Sequence, residues 1–159
     1  AANRIARAVL RCVPGLILAF LLPAPYRLTF PVNIGAAILF VISLFLALGV
    51  VVAFTMVVYI CTFYTVSPYG LKMVAVSLSD VLSGSLLPLP FFPDKLRQIV
   101  EFLPFASMQN VPLRVYSGDL AGQAALFSVG LQVFWFAALL AIGIWLMNRV
   151  MRRVVVQGG

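Results

Sequence analysis

The chain has 159 residues, of which 64% are apolar and 9% are charged, and its mean hydropathy is +1.12. Soluble domains carry about 25% charged residues, so this composition excludes a soluble protein and indicates one that lies in a bilayer. The formal net charge is +7. The basic residues flank apolar segments, which favours contact with anionic lipid headgroups over binding of nucleic acid.

Four apolar segments are predicted to cross the membrane as helices. They cover residues 9–26, 33–63, 71–90 and 122–148. The second and the fourth lie in long charge-free runs and exceed the roughly 20 residues that cross a hydrocarbon core. The first is shorter and contains three prolines, and the third contains Asp80 and two further prolines. The predicted fold class is therefore an all-α integral membrane protein, in which residues 1–159 form a single transmembrane domain.

The basic residues predict the orientation of these helices, because Lys and Arg accumulate on the cytoplasmic side of membrane proteins. Arg4, Arg7 and Arg11 lie before or at the start of the first segment, three arginines follow the last one, and Lys72 lies at the start of the third, beside the turn that follows the second. With both termini in the cytoplasm, all seven of these residues face the cytoplasm. On the outer side, the acidic residues nearly cancel the basic ones.

Residues 83–118 are predicted to form an outer re-entrant segment that links the last two spans. This part of the chain is too apolar for a solvated loop, and five prolines interrupt it. In lipid, a broken backbone persists only where protein or a water-filled cavity covers it. The segment therefore indicates a membrane protein with a shaped outer vestibule, although a membrane-surface cap remains the alternative.

A short amphipathic helix is predicted within this segment. Pro93 and Asp94 suit the first turn of a helix, and Pro104 ends it. Its apolar face is formed by Leu96, Ile99, Val100 and Leu103. On the other face, Arg97 and Glu101 are one turn apart and are expected to pair. A helix of about three turns is too short to cross a bilayer but suits its outer surface.

Asp80 is the one acidic residue inside a predicted span, which makes it a candidate for the transport path. It lies beside Ser79, Ser83 and Ser85. In a helix it would be about 12 Å from Lys72, too far for a direct ion pair. The alternative is a packing role inside a helix bundle, where serines or a neighbouring helix supply hydrogen bonds.

Other polar, aromatic and small residues in the spans are interpreted as packing features. They are Gln132, Trp135, Trp145, Gly49, Gly130 and Gly143. The chain has no histidine, no phosphate-binding loop and no paired acids, so we expect no metal site, no catalytic residue and no bound cofactor. Any energy source must therefore come from another subunit.

The re-entrant segment resembles that of the membrane subunits of type-2 ABC exporters, and more narrowly that of a bacterial permease family with six spans. The phrase LSGSLLPLPFFPDKLRQIVEFLPF, followed by VPLRVYSG, carries the resemblance over about a quarter of the chain. The matching residues are Leu82, Ser83, Gly84, Pro88, Leu89, Phe91, Phe92, Pro93, Leu103, Pro104, Phe105, Pro112, Tyr116 and Gly118. The chain is similar to the third to sixth spans of that family, so two further spans are expected before it. Asp80 is not part of the match.

The resemblance implies a permease in the cell membrane that works by alternating access. It implies a second permease subunit, identical or different, and a dimer of cytoplasmic ABC ATPases that carries the ATP and Mg, while membrane lipids surround the chain. The implied outer gate comprises Ser83, Gly84, Pro88, Phe91, Phe92, Pro93, Leu103, Pro104 and Phe105. The candidates for contact with the ATPase are Arg4, Arg7, Ser67, Pro68 and Tyr69. A mostly apolar path favours a lipid, drug-like or peptide cargo over a small ion.

Two other classes of function remain open. A small accessory or scaffold protein would explain the spans and the amphipathic helix, but it would not require the ordered proline and phenylalanine phrase. A channel-like subunit without ATP coupling would have polar residues along one helix face, and Asp80 with its neighbouring serines offers such a row.

Overall fold

The computed structural model describes residues 34–152 together with Val13, Pro14, Ile17 and Leu21. These four residues are helical, and the rest of the predicted first span lies outside the described residues, as do Arg4 and Arg7. All regular structure within 34–152 is helical, which agrees with the predicted all-α class.

Six α-helices and two short 3₁₀ turns follow one another from residue 34 onward. The α-helices are α1 (Ile34–Cys61), α2 (Pro68–Leu82), α3 (Asp94–Phe102), α4 (Pro104–Met108), α5 (Asn110–Ser117) and α6 (Gly122–Met151). The 3₁₀ turns cover Thr62–Tyr64 and Leu89–Phe91. We call residues 83–118, between α2 and α6, the connecting segment.

Helices α1 and α6 have 28 and 30 residues and are apolar along their length, so each can cross a membrane. Helix α2 has 15 residues, about 22 Å at the rise of an α-helix, which is less than the roughly 30 Å of a hydrocarbon core. The sequence predicted a span over 71–90, whereas the helix ends at Leu82. It ends there because Gly84 takes a left-handed conformation with φ of 85°.

Helices α1 and α6 pack directly against each other. Val50 and Ala53 of α1 are buried against Leu139 of α6. A Cβ on Gly49 would lie 2.9 Å from the ring of Phe136, so the glycine allows the close approach. The predicted packing role of Gly49 is thus confirmed.

Gly143 makes a second close approach, because a side chain there would collide with Met56. In contrast, a Cβ on Gly130 would meet nothing within 4 Å among the described residues. Gly130 therefore makes no close approach to the other described helices, and its packing role stays a prediction. Close contact between α1 and α6 depends on the two positions where small residues face large ones.

The connecting segment has a small core of its own. Leu89, Val100 and Ala106 are buried together, and Leu82 and Phe92 pack against them. This cluster joins the 3₁₀ turn, α3 and α4. The predicted apolar face of α3 is therefore only partly used, because Val100 is buried while Leu96 and Ile99 stay exposed.

Ring contacts show how far the connecting segment extends along α1. Phe105 of α4 packs edge-to-face on Phe54 at a centroid distance of 5.3 Å, and Tyr116 of α5 packs on Phe40 at 5.1 Å. Phe40 is about 9 Å from the start of α1 at Ile34, and Phe54 is about 30 Å from it. The segment therefore reaches past the midpoint of α1 at α4 and returns along α5.

Candidate functional site

A cavity of about 270 Å³ lies where α1, α2 and the end of α4 meet. Its polar lining comprises Thr55, Tyr59, Lys72, Ser79, Asp80, Ser83 and Gln109. Its apolar lining comprises Val51, Phe54, Val58, Ala75, Val76 and Met108. The connecting segment covers one end through Met108 and Gln109, and the opposite end lies beside the turn between α1 and α2. The cavity therefore has one end next to that turn and one end under the connecting segment.

Asp80 supplies the only carboxylate of this lining. Its side chain has no ion pair and accepts no hydrogen bond from the described residues. Its neighbour Ser79 donates to the carbonyl of Ala75 at 2.8 Å, so that hydroxyl is engaged within α2. Ser83 lies at the end of α2 and is buried. The carboxylate is thus open to the cavity and without a partner inside the described part of the chain.

Lys72 lines the end of the cavity next to the turn. Its ammonium lies over the ring of Tyr59, 5.3 Å from the ring centroid, and it forms no ion pair with Asp80. Tyr59 is two residues before the end of α1, and Lys72 is in the first turns of α2. The positive charge of Lys72 therefore lies at the end of the cavity next to the turn, and the negative charge of Asp80 lies further along α2.

Gln132 fastens the connecting segment to both long helices. Its amide nitrogen donates to the carbonyl of Ser107 at 2.9 Å and to the carbonyl of Ser43 at 3.2 Å. The Ser43 hydroxyl donates to the amide oxygen of Gln132 at 2.9 Å. All three residues are buried. The predicted packing role of Gln132 is confirmed, and the network joins α1, α4 and α6.

Trp135 makes a second attachment one turn further along α6. Its indole nitrogen donates to the carbonyl of Phe102 at 2.8 Å. Phe102 is the last residue of α3, so this bond satisfies a carbonyl that has no partner within its own helix. The predicted packing role of Trp135 is confirmed as well.

A cluster of ion pairs joins residues within the connecting segment and one residue just after it. Glu101 accepts from Arg97 at 3.2 Å, which confirms the predicted pair one turn apart. Glu101 also accepts from Arg114 at 2.9 Å, and Arg114 donates to Asp119 at 2.5 Å. The role of Arg114 is not evident from the sequence, because 13 residues separate it from Glu101 and no local spacing relates the two. The cluster links α3 to α5 and to Asp119, which lies between α5 and α6.

The residues predicted for the outer gate do not form one surface. Ser83, Pro104 and Phe105 are buried, and Phe92 packs on the small core of the connecting segment. Phe91 is 75% exposed, and Pro88 and Pro93 are exposed too. Gly84 turns the chain at the end of α2, and Leu103 is half-buried between α3 and α4. The buried residues of this set thus pack inside the protein, whereas the large side chain of Phe91 is exposed.

Two of the residues predicted to contact an ATPase begin α2. The Ser67 hydroxyl accepts a hydrogen bond from the backbone nitrogen of Gly70 at 3.3 Å and so caps the helix, and Pro68 is its first residue. The Tyr69 side chain is exposed. The turn is therefore rigid at its base and presents an aromatic side chain.

The helical fold of the described residues and the two long apolar helices are consistent with an all-α membrane protein. A protein-family model described as "ABC-2 family transporter protein" matches residues 3–158, which is nearly the whole chain. The chain belongs to the ABC-2 transporter family. No curated protein and no solved structure gave a significant match.

Proposed function

We propose that this chain is the transmembrane permease subunit of an ATP-binding cassette exporter. It forms the translocation path with a second permease subunit, identical or different, and separate cytoplasmic ATPase subunits drive it. Membership of the ABC-2 family supports a transport permease. One structural observation carries the rest: the connecting segment is bonded to α6 through the buried Gln132 and through Trp135, and it covers one end of a cavity.

This arrangement suits alternating access. The charge pattern orients the turn between α1 and α2 toward the cytoplasm, so the cavity opens near the cytoplasm and the connecting segment closes it toward the outside. In this orientation the connecting segment acts as a re-entrant outer gate of a protein in the cell membrane, with both termini in the cytoplasm. Opening the path requires the segment to move relative to α2, since its bonds to α6 are direct and the one from Gln132 is buried.

The turn at the start of α2 is the part of the described chain best suited to receive the motion of an ATPase. Ser67 and Pro68 hold its backbone, and Tyr69 projects from it. The ATPase subunits bind the ATP and Mg, and this chain supplies no phosphate-binding loop. Force applied at the turn travels along α2 to Asp80 and Ser83, which face the cavity.

The test is affinity purification of the full-length natural protein from its membranes in mild detergent, followed by mass spectrometry of the proteins that stay bound. We expect a soluble ATPase with a phosphate loop. We also expect Phe91→Ala to change the ATP hydrolysis of the complex. Phe45→Ala is the matched control, because Phe45 lies on α1 and is similarly exposed at 70% against 75%.

Recovery of the protein without a nucleotide-binding subunit would contradict the proposal. A channel-like subunit without ATP coupling would then be the better account, since the unpartnered carboxylate of Asp80 lines a cavity that reaches the turn. An accessory or scaffold protein would be indicated instead if the purified protein also carried no ion current in planar bilayers.

A further inference from the structure

We infer that the cavity between α1 and α2 binds a small organic cation with an apolar body, and that the carboxylate of Asp80 is its counter-ion. The inference rests on the proposed permease function and names the chemical class of cargo. It is carried by the chemistry of the cavity lining rather than by the arrangement of subunits.

The first argument is charge. Glu101 and Asp119 are paired with Arg97 and Arg114, and Asp94 lies in the first turn of α3, where the helix dipole stabilises it. Asp80 has no such compensation among the described residues. It lies 12 residues after the start of α2, about 18 Å from the turn. Asp80 is exposed and lines the cavity, so its carboxylate is accessible to a cation that enters, and an acidic residue in an apolar membrane segment is a candidate counter-ion.

The second argument is the remainder of the lining. Apart from Asp80, and Lys72 at the end next to the turn, the walls consist of aliphatic side chains, hydroxyls, the Gln109 amide, the Met108 thioether and the rings of Phe54 and Tyr59. A hard metal cation requires about six oxygen ligands, and one carboxylate with a few hydroxyls does not provide them. An ammonium group attached to an apolar body can use the carboxylate, the ring faces and the aliphatic wall together.

The third argument is the position of Lys72 and the size of the cavity. Lys72 lies about 12 Å from Asp80 along α2, beside the turn, so its charge opposes the cation only weakly where water reaches. An anion would have to bind beside Lys72, whose ammonium already lies over Tyr59. The volume of about 270 Å³ is just below that of sites for drug-sized ligands, which fits one ring or a short chain on an ammonium.

The test is equilibrium binding of tritium-labelled benzyltrimethylammonium to the full-length natural protein in lipid nanodiscs. We expect saturable binding that Asp80→Asn weakens about tenfold or more, because the substitution removes a charge-assisted contact and keeps the shape. Asp80→Glu should retain part of the affinity. Asp94→Asn is the control, since it removes one exposed carboxylate outside the cavity. Neopentylbenzene, the uncharged isostere of the probe, should compete poorly.

Absence of saturable binding, or equal affinity in the wild-type and Asp80→Asn proteins, would overturn the inference. Loss of binding in Asp80→Asn counts only if that variant elutes as a monodisperse protein and Asp80→Glu binds. The outcome is separable from that of the proposed function. An ATPase complex that binds no cation leaves the permease proposal intact, whereas cation binding by a protein that recovers no ATPase supports the site and contradicts the exporter.

Discussion

Ser43 of α1 and Gln132 of α6 lie 89 positions apart in the chain and join through two hydrogen bonds, one in each direction. The same amide of Gln132 reaches the carbonyl of Ser107 in α4. A single buried side chain therefore fixes the mutual position of three helices.

Gln132→Leu should destabilise the protein by about 1–3 kcal/mol, because it removes three hydrogen bonds and leaves two buried carbonyls and the Ser43 hydroxyl without their side-chain partner. The measurement is unfolding by SDS in mixed micelles. Ser107→Ala is the matched control, since the Ser107 hydroxyl is buried and has no partner in the described chain. That variant should be as stable as the wild type or slightly more so. Equal stability of Gln132→Leu and the wild type would contradict the prediction.

Trp135→Phe should loosen the end of α3, because the indole nitrogen no longer donates to the carbonyl of Phe102. Loss of this bond costs about 1 kcal/mol. Hydrogen–deuterium exchange measured by mass spectrometry should become faster in peptides covering residues 94–108. Trp145→Phe serves as the control, since Trp145 contacts Arg149 near the other end of α6. Equally fast exchange in both variants would argue against the attachment.

Glu101→Gln should lower stability by less than about 1 kcal/mol, because the pairs with Arg97 and Arg114 are partly exposed. The difference from the wild type should shrink as NaCl is raised toward about 1 M, where the Debye length is about 3 Å. The measurement is the thermal unfolding midpoint across a salt series. Asp94→Asn, which removes an exposed carboxylate without an ion pair in the described residues, should show no such convergence.

Gly84→Ala should destabilise the protein by about 1–2 kcal/mol, since a φ of 85° places a side chain in the left-handed region. The added Cβ would also lie 3.0 Å from a methyl carbon of Leu89. Gly130→Ala is the contrasting variant, because a Cβ there meets no atom of the described residues within 4 Å. In mid-helix it should be neutral or stabilising by up to about 1 kcal/mol. Unfolding in mixed micelles distinguishes the two, and similar effects of both would refute the role given to Gly84.

Hydropathy and local spacing were sufficient to predict the elements that depend on nearby residues. The two charge-free runs predicted α1 and α6, because a span requires only length and apolar composition. Pro93, Asp94 and the spacing after them predicted α3 and the pair between Arg97 and Glu101. The end of α2 at Leu82 was also signalled locally by Gly84, although the predicted span extended beyond it.

Relationships between distant parts of the chain could not be predicted in the same way. The packing roles of Gln132 and Trp135 followed from their type, but their partners did not, since those lie 25 to 89 positions away. The cavity shows the same division. Asp80 and Lys72 attract notice in the sequence, whereas the cover that Met108 and Gln109 provide depends on the path of the connecting segment.

Gln132 and Trp135 both donate to backbone carbonyls on the connecting segment, those of Ser107 and Phe102. A carbonyl group is present whatever side chain its residue carries. Mutational drift at these two acceptor positions can therefore proceed without breaking either bond, so long as the new side chain fits. For these two bonds, only the donor residues on α6 must keep their side chains. Relatives could therefore vary the exposed residues of the connecting segment and keep the same attachment.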